Sequence, residues 1–322
     1  MKKTILVIVG VELLLISGCA ASASTPTPVA ATALPGPTAT SIPPSETAAA
    51  DPSELPGFGV PYVSDGSHYQ KLDVYLPEGQ DGPFPTIFAI HGGGFTSGSK
   101  AAYFELARHF NELGYALVSI DYRVAPEFNY PAHVQDVFCA LAWVHANAAT
   151  YGFDTERIIA LGDSAGGYLV AMLGTVDRPS LYLEGCPNPL PQTDWIQGVV
   201  AFYGGYDFTS IDGLTKDLIK NIREPFWGTT FDKVPAETLA EMSPISWVDG
   251  SEPPFLIING INDVTTPSWG AEDFASALED SGATVELLLV EAGHGFIKAT
   301  FLPAYVQALE TVDAWLEALF ER

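Results

Sequence analysis

The string "LGDSAGG", residues 161–167, places one serine among residues too small to shield it, between a strand-like apolar run and a helix-like one. Gly162 and Gly166 each stand two positions from Ser164, the G-x-S-x-G spacing of a nucleophile carried on a sharp strand-to-helix turn where only small residues fit. A serine hydroxyl is a useful nucleophile only if a base takes its proton and donors hold the oxyanion that develops. The free N–H groups and dipole of the helix that follows would face that same point. The chemistry this pattern suits is acyl transfer.

The remaining parts of such a site can be sought by type and order. "HGGGF" begins at His91, at the end of another apolar run, and its consecutive glycines leave backbone N–H groups unshielded. Gly93, Gly94 and Ala165 are therefore the expected oxyanion donors. His91 and Gly92 shape that loop, and Asp163, beside the serine, is assigned with them as a supporting residue. The base must be one of six histidines. His109, His133 and His145 fall in helix-like segments, His68 precedes the first core strand, and His91 belongs to the glycine loop. His294, in "LLLVEAGHGF", lies just past the last strand with glycine on both sides, where an imidazole can reach a crevice. The acid that orients it is expected between serine and histidine in the chain. Asp263 in "IINGINDVTTP" fits that order, with Glu291 as the fallback and helix capping as the competing role for Asp263. The order differs from those of chymotrypsin-like and subtilisin-like enzymes.

These residues need a scaffold, and the chain supplies one. "KLDVYLP" (71–77), "TIFAI" (86–90), "ALVSI" (116–120), "RIIAL" (157–161), "GVVAF" (198–202), "FLIIN" (255–259) and "VELLLV" (285–290) read as strands, most of them continuously apolar, as strands covered on both faces should be. Between them Val134, Val137, Phe138, Leu141 and Val144 share one helical face, as do Tyr305, Leu309, Val312, Leu316 and Leu319. Pro267 opens a further helix and Gly282 closes it. The alternation predicts an α/β domain over residues 56–322, a mostly parallel sheet with helices on both faces. Residues 175–196 and 205–250 interrupt the rhythm. The second, which carries "REPFWGTTF", is expected to form a small cap over the crevice at the strands' carboxyl ends, with ordinary packing of an extra helix pair as the alternative.

Composition narrows the partners. The 322 residues carry 14 Lys and Arg against 39 Asp and Glu, a formal charge of −25, which repels nucleic acid and anionic lipid headgroups. Residues 1–19, "MKKTILVIVGVELLLISGC", place two lysines before an apolar stretch too short to span a bilayer comfortably, the pattern of an export signal. Its end, "LISGC", resembles the lipobox of bacterial lipoproteins, in which Cys19 would carry lipid, although Glu12 interrupts the apolar run. An ordinary signal peptide and an uncleaved anchor are the alternatives. Residues 20–55, rich in Ala, Thr, Ser and Pro, are expected to form a disordered tether. The chain is then extracytoplasmic, lipid-anchored or secreted. An oxidising compartment permits but does not require pairing of Cys139 with Cys186. No CxxC pair or HExxH helix appears, so no metal is expected.

Together "HGGGF", "DYRVAPEFNYPA", "GDSAGG" and "AGHGF" resemble the hormone-sensitive-lipase-like and acetyl- and feruloyl-esterase-like (BD-FAE-type) branch of the α/β-hydrolases, over about residues 58–320. The resemblance implies an α/β-hydrolase fold and a cofactor-free Ser164–His294–Asp263 carboxylesterase acting on small-molecule or carbohydrate esters, with acyl groups from acetyl to feruloyl. Phe95, Tyr122 and Trp227 are candidates to line an aromatic-tolerant site, with burial in the core as the commoner fate of such residues. Members often read His-Gly-x-x-Asp-x-x-Val-Pro around the acid, where this chain has Asn259 for the histidine and Thr266 for the valine. The short stretch before "KLDVYLP" favours the leaner acetyl- and feruloyl-esterase-like subgroup. A serine peptidase of the same fold, which would carry a further large domain, and a catalytically silent binding protein are the competing expectations.

Overall fold

The computed structural model describes residues 57–64 and 66–321. The leader 1–19 with Cys19 and the tether 20–55 lie outside the described residues. Eight strands form one sheet: β1 (Val60–Pro61), β2 (Lys71–Tyr75), β3 (Phe84–Ile90), β4 (Ala116–Ile120), β5 (Phe153–Asp163), β6 (Gly198–Phe202), β7 (Phe255–Gly260) and β8 (Val285–Val290). Their order is β1-β2-β4-β3-β5-β6-β7-β8. β2 runs antiparallel to β1 and β4, and from β4 to β8 every neighbouring pair is parallel.

The continuously apolar strands are buried on both faces, as their composition requires. Phe88 and Ile90 of β3 join the core on one side of the sheet, and Ile87 and Ala89 that on the other. β1 was not expected, because two residues carry no period. β5 begins four residues earlier than the apolar run suggests, at Phe153 beside Phe84, across a register shift that the polar Asp154–Arg157 stretch spans.

The helix Ala132–Ala146 buries more than the expected apolar face. Part of its outer side is covered by the 175–196 insertion, where Tyr182 stacks on Phe138 with ring centroids 5.6 Å apart and Cys186 is disulfide-bonded to Cys139. Residues 205–250 form helices of six residues or fewer. Of their aromatics, Phe226 and Trp227 turn into the core, at 0% and 8% exposure.

The disulfide closes a loop across a sequence separation of 47, with Cα atoms 5.2 Å apart. In the chain-entropy account a loop of that length removes about 4 kcal/mol of unfolded-state freedom. The double variant Cys139→Ala/Cys186→Ala is therefore expected to lose about 2–4 kcal/mol of stability in urea unfolding. A midpoint unchanged from that of the oxidised parent would refute this.

Candidate active site

Ser164 follows the last residue of β5 and caps the helix Ala165–Thr175, with φ 56° and ψ −115°. This turn is possible because position 166 is glycine: a Cβ there would run into the Ile90 carbonyl oxygen on β3. The Ser164 amide donates to the Phe202 carbonyl at 2.9 Å, and the Ser164 carbonyl accepts from the Tyr168 amide at 3.0 Å. The hydroxyl is thereby aimed off the end of the sheet.

The side chains singled out by type and order converge there. Ser164 Oγ lies 2.8 Å from His294 Nε2, and His294 Nδ1 lies 2.7 Å from Asp263 Oδ2. Asp263 Oδ1 accepts the amides of Thr265 and Thr266, at 2.8 and 2.9 Å. Burial opposes ionisation of Asp263, but the hydrogen bonds from His294 and these amides, with the imidazole's charge, outweigh it and hold the carboxyl below its ordinary range. An ionised Asp263 accepts the hydrogen bond of the Nδ1–H group, which fixes the proton on Nδ1 and leaves the Nε2 lone pair for the serine hydroxyl. Glu291, the fallback acid, is exposed and plays no part in this chain of bonds.

The glycine loop sits opposite. Gly93 and Gly94 have φ of 132° and 61°, and a side chain at 93 would collide with the Ser97 carbonyl. Among the described residues, the amides of Gly93, Gly94 and Ala165 donate to no protein acceptor. His91 does not reach the serine. It is buried, stacked on Tyr122 at 4.4 Å, with Nδ1 2.8 Å from the Gly92 carbonyl, and burial lowers its pKa. Asp163 ties the parts together. Its Oδ1 accepts the Gly92 amide at 3.0 Å and the Tyr103 hydroxyl at 2.8 Å, and its Oδ2 meets Lys298, just past the histidine loop, at 3.0 Å.

The expectation of an aromatic lining is corrected in two of three places. Phe95 borders the cleft at Ser164. Tyr122 instead hydrogen-bonds the His91 carbonyl from the core, and Trp227 packs against Phe231, 5.5 Å away. Aromatic residues near a motif serve packing as readily as recognition, and their spacing does not distinguish the two. The cleft, of about 30 Å³, is closed from the cap side by Leu218, Ile222 and Arg223. A larger cavity, about 450 Å³, lies between Asn129 and Lys233. It includes none of the residues that converge on Ser164, so the chemistry belongs to the smaller one.

Residues 72–278 match the BD-FAE family model. The chain belongs to the BD-FAE family. This BD-FAE chain is 31% identical to the esterase LipQ of Mycobacterium tuberculosis, over 82% of its own length and 62% of LipQ. It is 34% identical to the esterase LipC of the same organism, over 70% and 57%. It thus spans roughly half to three-fifths of the length of the curated relatives it matches. Its fold is that of α/β-hydrolases, superposing on a thermophilic esterase of Thermogutta terrifontis with TM-score 0.68 at 28% identity, over 83% of this chain and 94% of that one.

Sequence reasoning missed the residues that hold the acid in place. Thr266, marked only as a departure, brings its hydroxyl within 3.0 Å of Asp263 Oδ2, 2.9 Å of the Tyr203 carbonyl and 3.2 Å of His294 Nδ1. One hydroxyl proton serves one acceptor at a time, so it donates either to the carboxylate or to the Tyr203 carbonyl just past β6. Asn259, the other departure, donates to the Thr266 carbonyl at 3.1 Å. Tyr203 packs edge-on to the imidazole at 4.8 Å. Replacing Thr266 by valine removes a bond to a charged group, about 1.5 kcal/mol. The rate at which phenylmethanesulfonyl fluoride modifies Ser164 should fall about tenfold. An unchanged rate would deny Thr266 any part in positioning the acid.

Proposed function

We propose that this chain is a serine carboxylesterase that hydrolyses short-chain acyl esters through an acyl-enzyme. The observation that carries the reading is the continuous relay from Ser164 through His294 to Asp263, at 2.8 and 2.7 Å, facing unpaired amides. In the first half-reaction His294 Nε2 takes the hydroxyl proton as Ser164 Oγ bonds to the ester carbonyl carbon. The carbonyl oxygen becomes an oxyanion held by the amides of Gly93, Gly94 and Ala165. The C–O bond to the alcohol then breaks, and the imidazolium returns its proton to the departing oxygen. In the second, water loses a proton to His294 and its oxygen bonds to the acyl carbon; the bond from that carbon to Ser164 Oγ then breaks, the imidazolium returns the proton to Oγ, and the acid leaves.

The narrow cleft under Leu218 and Ile222 favours small acyl groups. Forms of the Thermogutta terrifontis esterase with propionate and with butyrate bound are 28% identical to this chain, which supports the same size range. With Tyr122 and Trp227 absorbed into the core, feruloyl esters are secondary substrates in this reading. The "LISGC" string supports an extracytoplasmic location through lipid on Cys19.

Initial rates on p-nitrophenyl esters from acetate to decanoate test the proposal, and the expected profile falls beyond butyrate. Ser164→Ala and His294→Ala should each lower the rate by roughly 10⁴-fold or more, as for residues acting as a unit. Asp263→Asn should cost far more than Glu291→Gln. Full activity in either alanine variant overturns the mechanism, and the reverse ranking of the acids moves that role to Glu291. Replacing Cys19 should shift the protein from the membrane to the soluble fraction in an expressing bacterium, whereas an unchanged distribution refutes lipid anchoring.

A further inference from the structure

Arg223 ends the π-helical stretch Ile219–Arg223 of the cap, a local geometry frequent at functional sites. It is 7% exposed and borders the same cleft as Ser164, Gly94 and Ala165. A buried guanidinium is normally paired, because an uncompensated charge away from water is costly. This one is not. Its Nη1 has no hydrogen-bond partner among the described residues. Asp207, the carboxylate that acts on it electrostatically, is exposed and takes up the Thr209 amide and hydroxyl instead. One face of the guanidinium stacks on Phe208, its carbon 3.8 Å from the ring centroid, which steadies the plane but satisfies none of its N–H groups. Position 205 is glycine, and a Cβ there would come within 3.0 Å of Nη2.

A second buried donor without a partner belongs to Tyr168, a residue that also lines the cleft. The Tyr168 hydroxyl, on a fully buried side chain, has no partner either, and Tyr168 and Arg223 lie close enough for each to shift the other's ionisation. Burial pushes the Arg223 pKa down to about 10, so the group stays charged at neutral pH. A planar cation with an unsatisfied N–H and a second residue with an unsatisfied hydroxyl both line the cleft that holds the nucleophile, and donors of these kinds suit a carboxylate, which accepts at two oxygens. A wholly apolar ester would leave both donors without partners.

We propose that Arg223, assisted by Tyr168, binds a carboxylate carried by the ester substrate and so selects anionic esters over neutral ones of the same size. The carboxylate can belong to the acyl part, as in a hemiester of a short dicarboxylic acid, or to the alcohol part, as in an acylated uronate. The inference rests on the esterase reading above and assigns its substrate class.

The test takes the purified full-length chain and two substrate pairs that differ in a carboxylate: monoethyl succinate against ethyl butyrate, and an O-acetylated galacturonate against the equally acetylated galactose. In one pair the ratio of kcat/KM, charged over neutral, is expected to exceed about ten and to fall at least about 30-fold in Arg223→Gln, as when one partner of a buried charge pair is lost. Arg223→Lys should keep part of the ratio, and circular dichroism checks that both variants are folded. The responding pair identifies which part of the substrate carries the carboxylate. Ratios below one in both pairs overturn the proposal, as does an equal loss on charged and neutral esters in Arg223→Gln, which would make Arg223 a packing residue. If no ester is hydrolysed, the esterase reading falls by itself, and calorimetric titration with succinate decides for Arg223. Binding lost in Arg223→Gln supports it, and binding absent from the parent, or unchanged in the variant, refutes it.

Discussion

The close approach of the helix Ala165–Thr175 to the end of β3 governs everything else in the site. It forces Ser164 to φ 56° and ψ −115°, a region that costs an L-residue about 1–3 kcal/mol and persists only where the surroundings over-determine it. Here they do. The helix is buried along its whole length, glycine at 166 meets the Ile90 carbonyl, and glycine at 167 packs on the Phe202 carbonyl. A side chain at either place would push the helix out and relax the turn. The same approach sets the Ala165 amide near Gly93 and Gly94, so one backbone constraint fixes both the direction of the nucleophile and the place where negative charge can be held.

The sheet order then imposes a distance problem. Ser164 leaves β5, while His294 leaves β8, three places away, or about 14 Å at ~4.8 Å per strand. The loops after β7 and β8 must lean inward across the end of β6. Several short bonds hold them there: the Asn262 amide to the Ala292 carbonyl at 3.0 Å, Thr266 to the Tyr203 carbonyl, and Lys298 to Asp163. Tyr203 has φ 38°, unusual for a bulky residue. In this backbone geometry its carbonyl receives Thr266 and its ring lies against the imidazole.

What was legible in the sequence follows from this division. The strands were visible because burial on both faces demands unbroken apolar runs, and Ser164, Asp263 and His294 because the chemistry restricts residue type, chain order and position at strand ends. Thr266 and Tyr203 were not visible, because they act through a single hydroxyl and a carbonyl, for which many residue types would serve. Asn259 and Thr266 read as departures from a family pattern, yet both make bonds that hold the Asp263 loop. Arg223 sits in "KNIREPF", a string whose charges suggest a solvated surface. Only the fold shows that one of those charges is turned inward.

The acidity of the chain looks unfavourable for a reaction that generates an oxyanion. A formal charge of −25 acts mostly from exposed side chains, however, and such charges are screened beyond about 8 Å at physiological ionic strength. In the proposed mechanism the amides of Gly93, Gly94 and Ala165 act at contact distance, where oriented dipoles count for more than distant screened charges. Nearby negative charge also helps the other half of the reaction. In the proposed mechanism Asp263, kept ionised by its own hydrogen bonds, stabilises the imidazolium formed when His294 takes the serine proton. The site therefore separates the two demands in space, with neutral backbone donors where the anion forms and a carboxylate behind the ring where the cation forms. The role proposed for Arg223 fits the same division: among the described residues it is the one charged side chain lining this cleft, a buried cation on the cap side that favours an anion within an acidic molecule whose long-range field does not.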